Sequence, residues 1–223
     1  MNKKLYVVRH GETYLNRYHK LQGWADSPLT EEGKEVAIRT GERLSDIAFD
    51  RVYTSDLGRT IETAELILKQ NKHAQSIELR RLKEFREVFF GSYEGERIDR
   101  VVLQIAAEQG FHYETGQEVF ANHSMSEILS FIKQADPLSD AEDADELQAR
   151  IELGMKQMMS DLIDQDAVVL LVTHGIVIRH IIDTYSDHPD HQGEVKNASV
   201  SVLEFKDGEA SVVMFNSLSE ALD

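Results

Sequence analysis

The chain has 223 residues, 41% of them hydrophobic, and no cysteine. That supplies enough apolar surface for a core, and it excludes disulfides, thiol catalysis and cysteine-bound zinc. A formal net charge of −16 sets the surface against nucleic acid and anionic membranes, so neither is expected as a partner.

The first predicted element is a strand, Leu5-Tyr6-Val7-Val8-Arg9, which stops on His10-Gly11. It does not alternate, as expected of a strand covered on both faces. Too short for a signal-peptide core, it leaves a cytoplasmic location as the expectation. Thr13 caps a short helix, and Gly23 to Pro28 is loop chemistry. Thr30 then caps a helix over 31–45, with Glu31 and Glu32 at the positive end of its dipole. A second strand is expected over 50–54, with Ser55 or Asp56 capping a helix over 57–70. Ile77 to Leu79 is a third strand. The stretch 81–146 fits strand–helix alternation least, with helices near 97–109 and 125–134 and an acidic tract from Asp136 to Asp145. This tract reads as a mobile, solvated loop before a long helix over 145–163.

Val168 to Thr173 repeats the opening theme, a Val/Leu-rich strand that ends on His174-Gly175 and feeds a helix to about Tyr185. The longest wholly apolar run, Ala167 to Val172, is far short of a membrane span. His188 and His191, three apart in an Asp-rich stretch, read as a solvated turn rather than a metal pair. Ser199 to Phe205 and Ala210 to Phe215, with Asp207-Gly208 between them, form a hairpin closing the sheet. The apolar stretch from Val200 to Phe205 leaves a homodimer open.

Two imidazoles are thus delivered to one sheet edge, where ligands bind in open parallel α/β sheets. Arg9 beside His10 points to an anionic substrate. Arg59, in the first turn of its helix, is a second fork-shaped donor suited to phosphate oxygens, or else the partner of a surface carboxylate. His10, His174 and Glu87 could in principle ligate a metal, but two arginines beside a divalent cation would be repelled, so no metal is expected.

Five segments in order resemble the histidine phosphatase superfamily, the phosphoglycerate mutase-like family. They are Arg9-His10-Gly11-Glu12-Thr13-x-x-Asn16, Gln22-Gly23-Trp24 with Pro28-Leu29-Thr30-x-x-Gly33, Thr54-Ser55-x-Leu57-x-Arg59-Thr60-x-x-Thr63, Glu87-x-x-x-Gly91-x-x-Glu94-Gly95, and Thr173-His174-Gly175. The resemblance implies a three-layer αβα sandwich with a mostly parallel central sheet and a helical insertion, about 88–146, over the active-site edge of a single domain spanning 1–223. It implies His10 as a phosphate-accepting nucleophile and Glu87, rather than Glu84, as proton donor. Arg9, Asn16, Gln22, Gly23, Arg59, His174 and Gly175 would hold the phosphate, with His174 as a protonated imidazole and Gly175 letting its N–H approach closely. No cofactor is implied. The partner would be a small phosphorylated metabolite, hydrolysed by a phosphatase. A phosphoglycerate mutase is the alternative, and a non-catalytic phosphate-binding module a third reading. Arg97 and Arg100 are candidates for a second anionic group of the substrate.

Overall fold

The computed structural model describes residues 2–162, 166–186, 193–206 and 209–219. His188, His191 and the Asp207-Gly208 turn lie outside them. Six strands form one sheet: β1 (Lys3–Arg9), β2 (Arg51–Thr54), β3 (Leu79–Arg81), β4 (Ala167–Thr173), β5 (Val200–Lys206) and β6 (Glu209–Ser217), in the order β3-β2-β4-β1-β5-β6. The first four are mutually parallel, while β5 runs antiparallel to both β1 and β6. Arg9 is level with Thr173, and Thr54 with Val172. The chain therefore leaves β1, β2 and β4 at one edge, delivering His10, Ser55 and His174 together.

Alternate side chains of the two central strands feed two cores. Tyr6, Val8, Leu170 and Val172 pack with Ala64 and Ile67 of α3 (Gly58–Gln70), beside α2 (Glu31–Arg43). Leu5, Val7, Val169 and Leu171 pack on the other face with α4 (Ile98–Glu108), α6 (Met125–Ala135), α7 (Ala144–Ser160) and α8 (Gly175–Tyr185). These are the three layers of the expected αβα sandwich. Among the described residues two short helices remain, α1 (Tyr14–Arg17) and α5 (Gly116–Asn122). Among the described residues no helix is long and apolar enough to cross a membrane.

Four expectations are corrected. Neither Ser55 nor Asp56 caps α3. Its N-cap is Leu57, and the Gly58 N–H donates instead to Asp26 Oδ2 at 2.6 Å. The third strand starts at Leu79 rather than Ile77, whose N–H closes a turn on the Ala74 carbonyl. The stretch 200–205 is not an edge, because β6 covers it and Val200 to Leu203 are buried. Nor is the acidic tract a free loop. Asp136 is buried and accepts bonds from the Ser92 hydroxyl and the N–H groups of Ser92, Asp140 and Ala141, which lower its pKa against the cost of burial.

Candidate active site

His10 and His174 stand side by side, ring centroids 5.2 Å apart at 63°, both essentially buried. Partners fix the tautomer of each. The Gly11 carbonyl, 2.8 Å from His10 Nδ1, can only accept, so Nδ1 carries the hydrogen. Nε2 keeps its lone pair and receives the Arg59 Nε–H at 3.3 Å. On His174, Nδ1 accepts from Arg59 Nη2 at 3.1 Å, so the Nε2–H donates to Ser55 Oγ at 2.8 Å. Burial, then the Arg59 charge, holds both imidazoles well below the ordinary histidine pKa. His174 is thus neutral here, a correction to the protonated imidazole expected. The positive charge of Arg59 and Arg9 beside it disfavours a further cation.

Arg59 is enclosed. Besides the two imidazoles it donates to the carbonyls of Gly23 at 2.7 Å and Ala25 at 3.0 Å, and pairs with Asp26 at 3.1 Å. Asp26 therefore ties both the N-terminus of α3 and its second residue to the loop at 23–26. Gly23 acts through this loop. Its N–H is committed to Glu94, and a Cβ there would come within 2.0 Å of the Val88 carbonyl. Glu94 lies in the Glu87-to-Gly95 segment. Its carboxylate accepts the N–H groups of Gly23, Trp24, Ala25 and Phe90 at 2.9–3.1 Å, and so shapes the loop that receives Arg59.

Arg9 donates through Nη1 to the Val195 carbonyl and faces Glu194 at 3.7 Å. Its Nε is buried without a hydrogen-bond partner among the described residues. The guanidinium lies against Gly175, where a Cβ would stand in van der Waals contact with Nε at 3.4 Å. Gln22 is buried as well. Thr13 Oγ1 accepts the Asn16 N–H and gives its one hydrogen to Gln22 Oε1 at 2.6 Å, leaving Gln22 Nε2 as a second unpartnered buried donor. Asn16 Oδ1 accepts from the Thr13 N–H at 3.2 Å and from Asn197 Nδ2 at 3.4 Å. Asn197, which sequence reasoning missed, also donates to the His10 carbonyl at 3.0 Å. No short-range pattern connects residues 187 positions apart.

Glu87 is buried, and each of its oxygens accepts one backbone N–H at 3.1 Å, Val88 to Oε1 and Ile176 to Oε2. The second bond sets the carboxyl at the N-terminus of α8, on the N–H two residues after His174. Burial raises its pKa, against the pull of those N–H groups and of Arg9 and Arg59. Glu84 instead lies along α7, its Cβ 2.8 Å from where a Cβ on Gly154 would stand. Arg97 forks onto Asp99 at 2.9–3.1 Å, and Arg100 pairs with Glu96 at 3.6 Å. Among the described residues no group of three metal-ligating side chains comes together.

The arrangement joins a neutral imidazole whose Nε2 lone pair accepts from Arg59, two guanidiniums, two buried donors unpartnered among the described residues, and a carboxyl whose pKa burial raises. A family model of the histidine phosphatase superfamily (branch 1) matches residues 5–218. The chain is 28% identical over 209 residues to a probable phosphoglycerate mutase, GpmB, of Salmonella arizonae, covering 92% of this chain and 86% of that protein. The crystal structure of a phosphoglycerate mutase from Bacillus anthracis superposes with a TM-score of 0.89 at 37% identity, over 97% of this chain and 94% of the other. An α-ribazole phosphatase from Shigella flexneri shares the fold, with a TM-score of 0.75 at 24% identity over 99% of both chains.

Proposed function

Because the chain belongs to the histidine phosphatase superfamily, we propose that it is a phosphomonoesterase acting on a small phosphorylated metabolite through a phosphohistidine on His10. The observation that carries this reading is the His10 tautomer. Nδ1–H is held by the Gly11 carbonyl, so the lone pair of Nε2 faces Arg59. In the first step Nε2 attacks phosphorus, the bond to the ester oxygen breaks, and Glu87 gives its proton to the leaving alkoxide. In the second, water attacks the phosphoryl group, returns a proton to Glu87, and the nitrogen–phosphorus bond breaks. Arg9 Nε and Gln22 Nε2 supply donors for the equatorial oxygens, whose charge dominates a loose transition state, and Arg59 adds positive charge beside them, its own N–H groups being engaged by His10, His174 and the loop at 23–26.

The mutase reading is favoured by the likeness to the Bacillus anthracis phosphoglycerate mutase at 37% identity. It asks for a second anionic group to be held, and both candidates for that, Arg97 and Arg100, are engaged with Asp99 and Glu96. A phosphate-binding module without catalysis would have no use for Glu87.

Brief incubation with a 32P-labelled substrate and an acid-free quench should label His10, with the label base-stable and acid-labile. His10→Ala should lose both label and turnover, by several orders of magnitude, because the covalent route is removed. Activity within tenfold of the parent would end this mechanism. With 3-phosphoglycerate as substrate, glycerate and inorganic phosphate are the expected products, whereas accumulation of 2-phosphoglycerate would establish the mutase.

A further inference from the structure

The segment carrying Glu87 runs outside the sheet, from the single turn at Lys83–Phe85 to the one at Gly91–Tyr93. Its carbonyls therefore have no strand ladder to satisfy them. Thr173 Oγ1 donates to the Phe85 carbonyl at 2.8 Å and Trp24 Nε1 to the Glu87 carbonyl at 3.1 Å, and one side chain of α7 takes the larger share. Arg150 donates from Nη1 to the carbonyls of Glu84 at 2.9 Å and Arg86 at 2.8 Å, and from Nη2 to the carbonyl of Glu87 at 3.2 Å. Its two remaining N–H groups fork onto Glu142, Nε at 2.7 Å and Nη2 at 2.6 Å. All five donors of the guanidinium are used.

Glu142 is itself engaged with the same segment. Its Oε2 accepts the Phe89 N–H at 2.9 Å, and its own N–H donates to the Phe89 carbonyl at 2.8 Å. Both side chains are about 15% exposed. A buried ion pair is weak evidence for stability, since desolvation offsets its attraction. Its geometry is another matter. A planar fork fixes the direction of each bonded group, which a lysine with three mobile donors would not.

We propose that Arg150, oriented by Glu142, is a positioning residue for the proton donor. It fixes the main chain of residues 84–87 so that the Glu87 carboxyl projects onto the N-terminus of α8 beside His174. The inference rests on the reading of Glu87 as general acid. General-acid help matters for a poor leaving group and little for a stable one, so a loss that acts through Glu87 must depend on the leaving group.

The test compares kcat/KM for glycerol phosphate and for p-nitrophenyl phosphate in Arg150→Lys, Arg150→Ala and Glu142→Gln, each with Glu87 intact and in a Glu87→Gln background. Misplacement of a reacting group by about 1 Å costs on the order of 10²-fold. With Glu87 intact, the alkyl ester should therefore lose at least about tenfold more than the aryl ester. In the Glu87→Gln background this selective loss should vanish. Equal losses on both esters, or a selective loss that survives Glu87→Gln, would overturn the inference. If Arg150→Ala does not fold, Glu142→Gln and Arg150→Lys decide by the same criteria. If Glu87→Gln alone shows no leaving-group dependence, the donor assignment falls and the inference with it. If Glu87→Gln shows the dependence and none of the Arg150 and Glu142 variants does, only the inference falls.

Discussion

The chemistry of the site turns on which ring nitrogen carries a hydrogen. One arginine sets much of this. Arg59 can only donate, and it reaches Nε2 of His10 and Nδ1 of His174, so both atoms must be acceptors. Two buried, neutral imidazoles have a consequence for stability. Their folded-state pKa values are depressed, so as pH falls below about 6.5 the unfolded chain takes up protons that the native state refuses. The stability they contribute is present above that pH and is lost below it. Replacing one imidazole by an amide removes one such proton. In urea unfolding, the loss of stability between pH 6.5 and 5.5 should be about 1 kcal/mol smaller for His174→Gln than for the parent. Equal losses would mean that His174 is charged in the folded protein.

Among the connecting elements, the loop at 22–26 has no regular structure of its own and takes its shape from Glu94. Four N–H groups converge on that carboxylate, and the loop's carbonyls in turn receive Arg59. Glutamine at this position keeps one acceptor oxygen and replaces the other with a donor that faces N–H groups. Glu94→Gln should cost about 1–3 kcal/mol, as expected when buried donors lose their acceptor. It should also raise KM alike for alkyl and aryl phosphates, because it disturbs Arg59 rather than the proton donor. A thermal melt and steady-state kinetics check both; an unchanged Tm would remove Glu94 from this role. The acidic tract after α6 behaves in a comparable way. Composition marks it as solvated, yet Asp136 holds Ser92 and Glu142 holds Phe89, so two of its carboxylates are anchors for the donor segment.

At the scale of the molecule, the insertion and the sheet share one core. Val88, Val101, Ile105, Ile128 and Ile132 belong to the same buried cluster as Leu5, Val7 and Leu171. A unit that cannot lose its neighbours without exposing its own apolar face should not melt alone. Unfolding in guanidinium should therefore be a single transition, with near- and far-ultraviolet circular dichroism coinciding. Two separated transitions would show the insertion, residues 88–146, to be an independent unit. The other face of the sheet, with α2 and α3, should follow the same transition because β1 and β4 contribute to both cores.

The grouping of His10, Arg59, Glu87 and His174 was what the five-segment resemblance implied, while the sequence by itself determined the two His-Gly strands, their burial on both faces and the caps at Thr13 and Thr30. These features rest on local rules: apolar runs without alternation read as buried strands, and short polar side chains before a helix satisfy its free N–H groups. What only the tertiary structure decided was which groups are already spoken for. Gly23 gives its N–H to Glu94, the Arg9 guanidinium lies against Gly175, and Asp26 rather than Ser55 serves the start of α3. The helix α5, seven residues long, carried too little periodicity to be expected before its packing on α4 was seen. Arg150 and Glu142 are eight residues apart and meet Glu87 from more than fifty positions away. A carboxylate's or guanidinium's partner is fixed by three-dimensional proximity and desolvation, and neither is encoded in the neighbours along the chain.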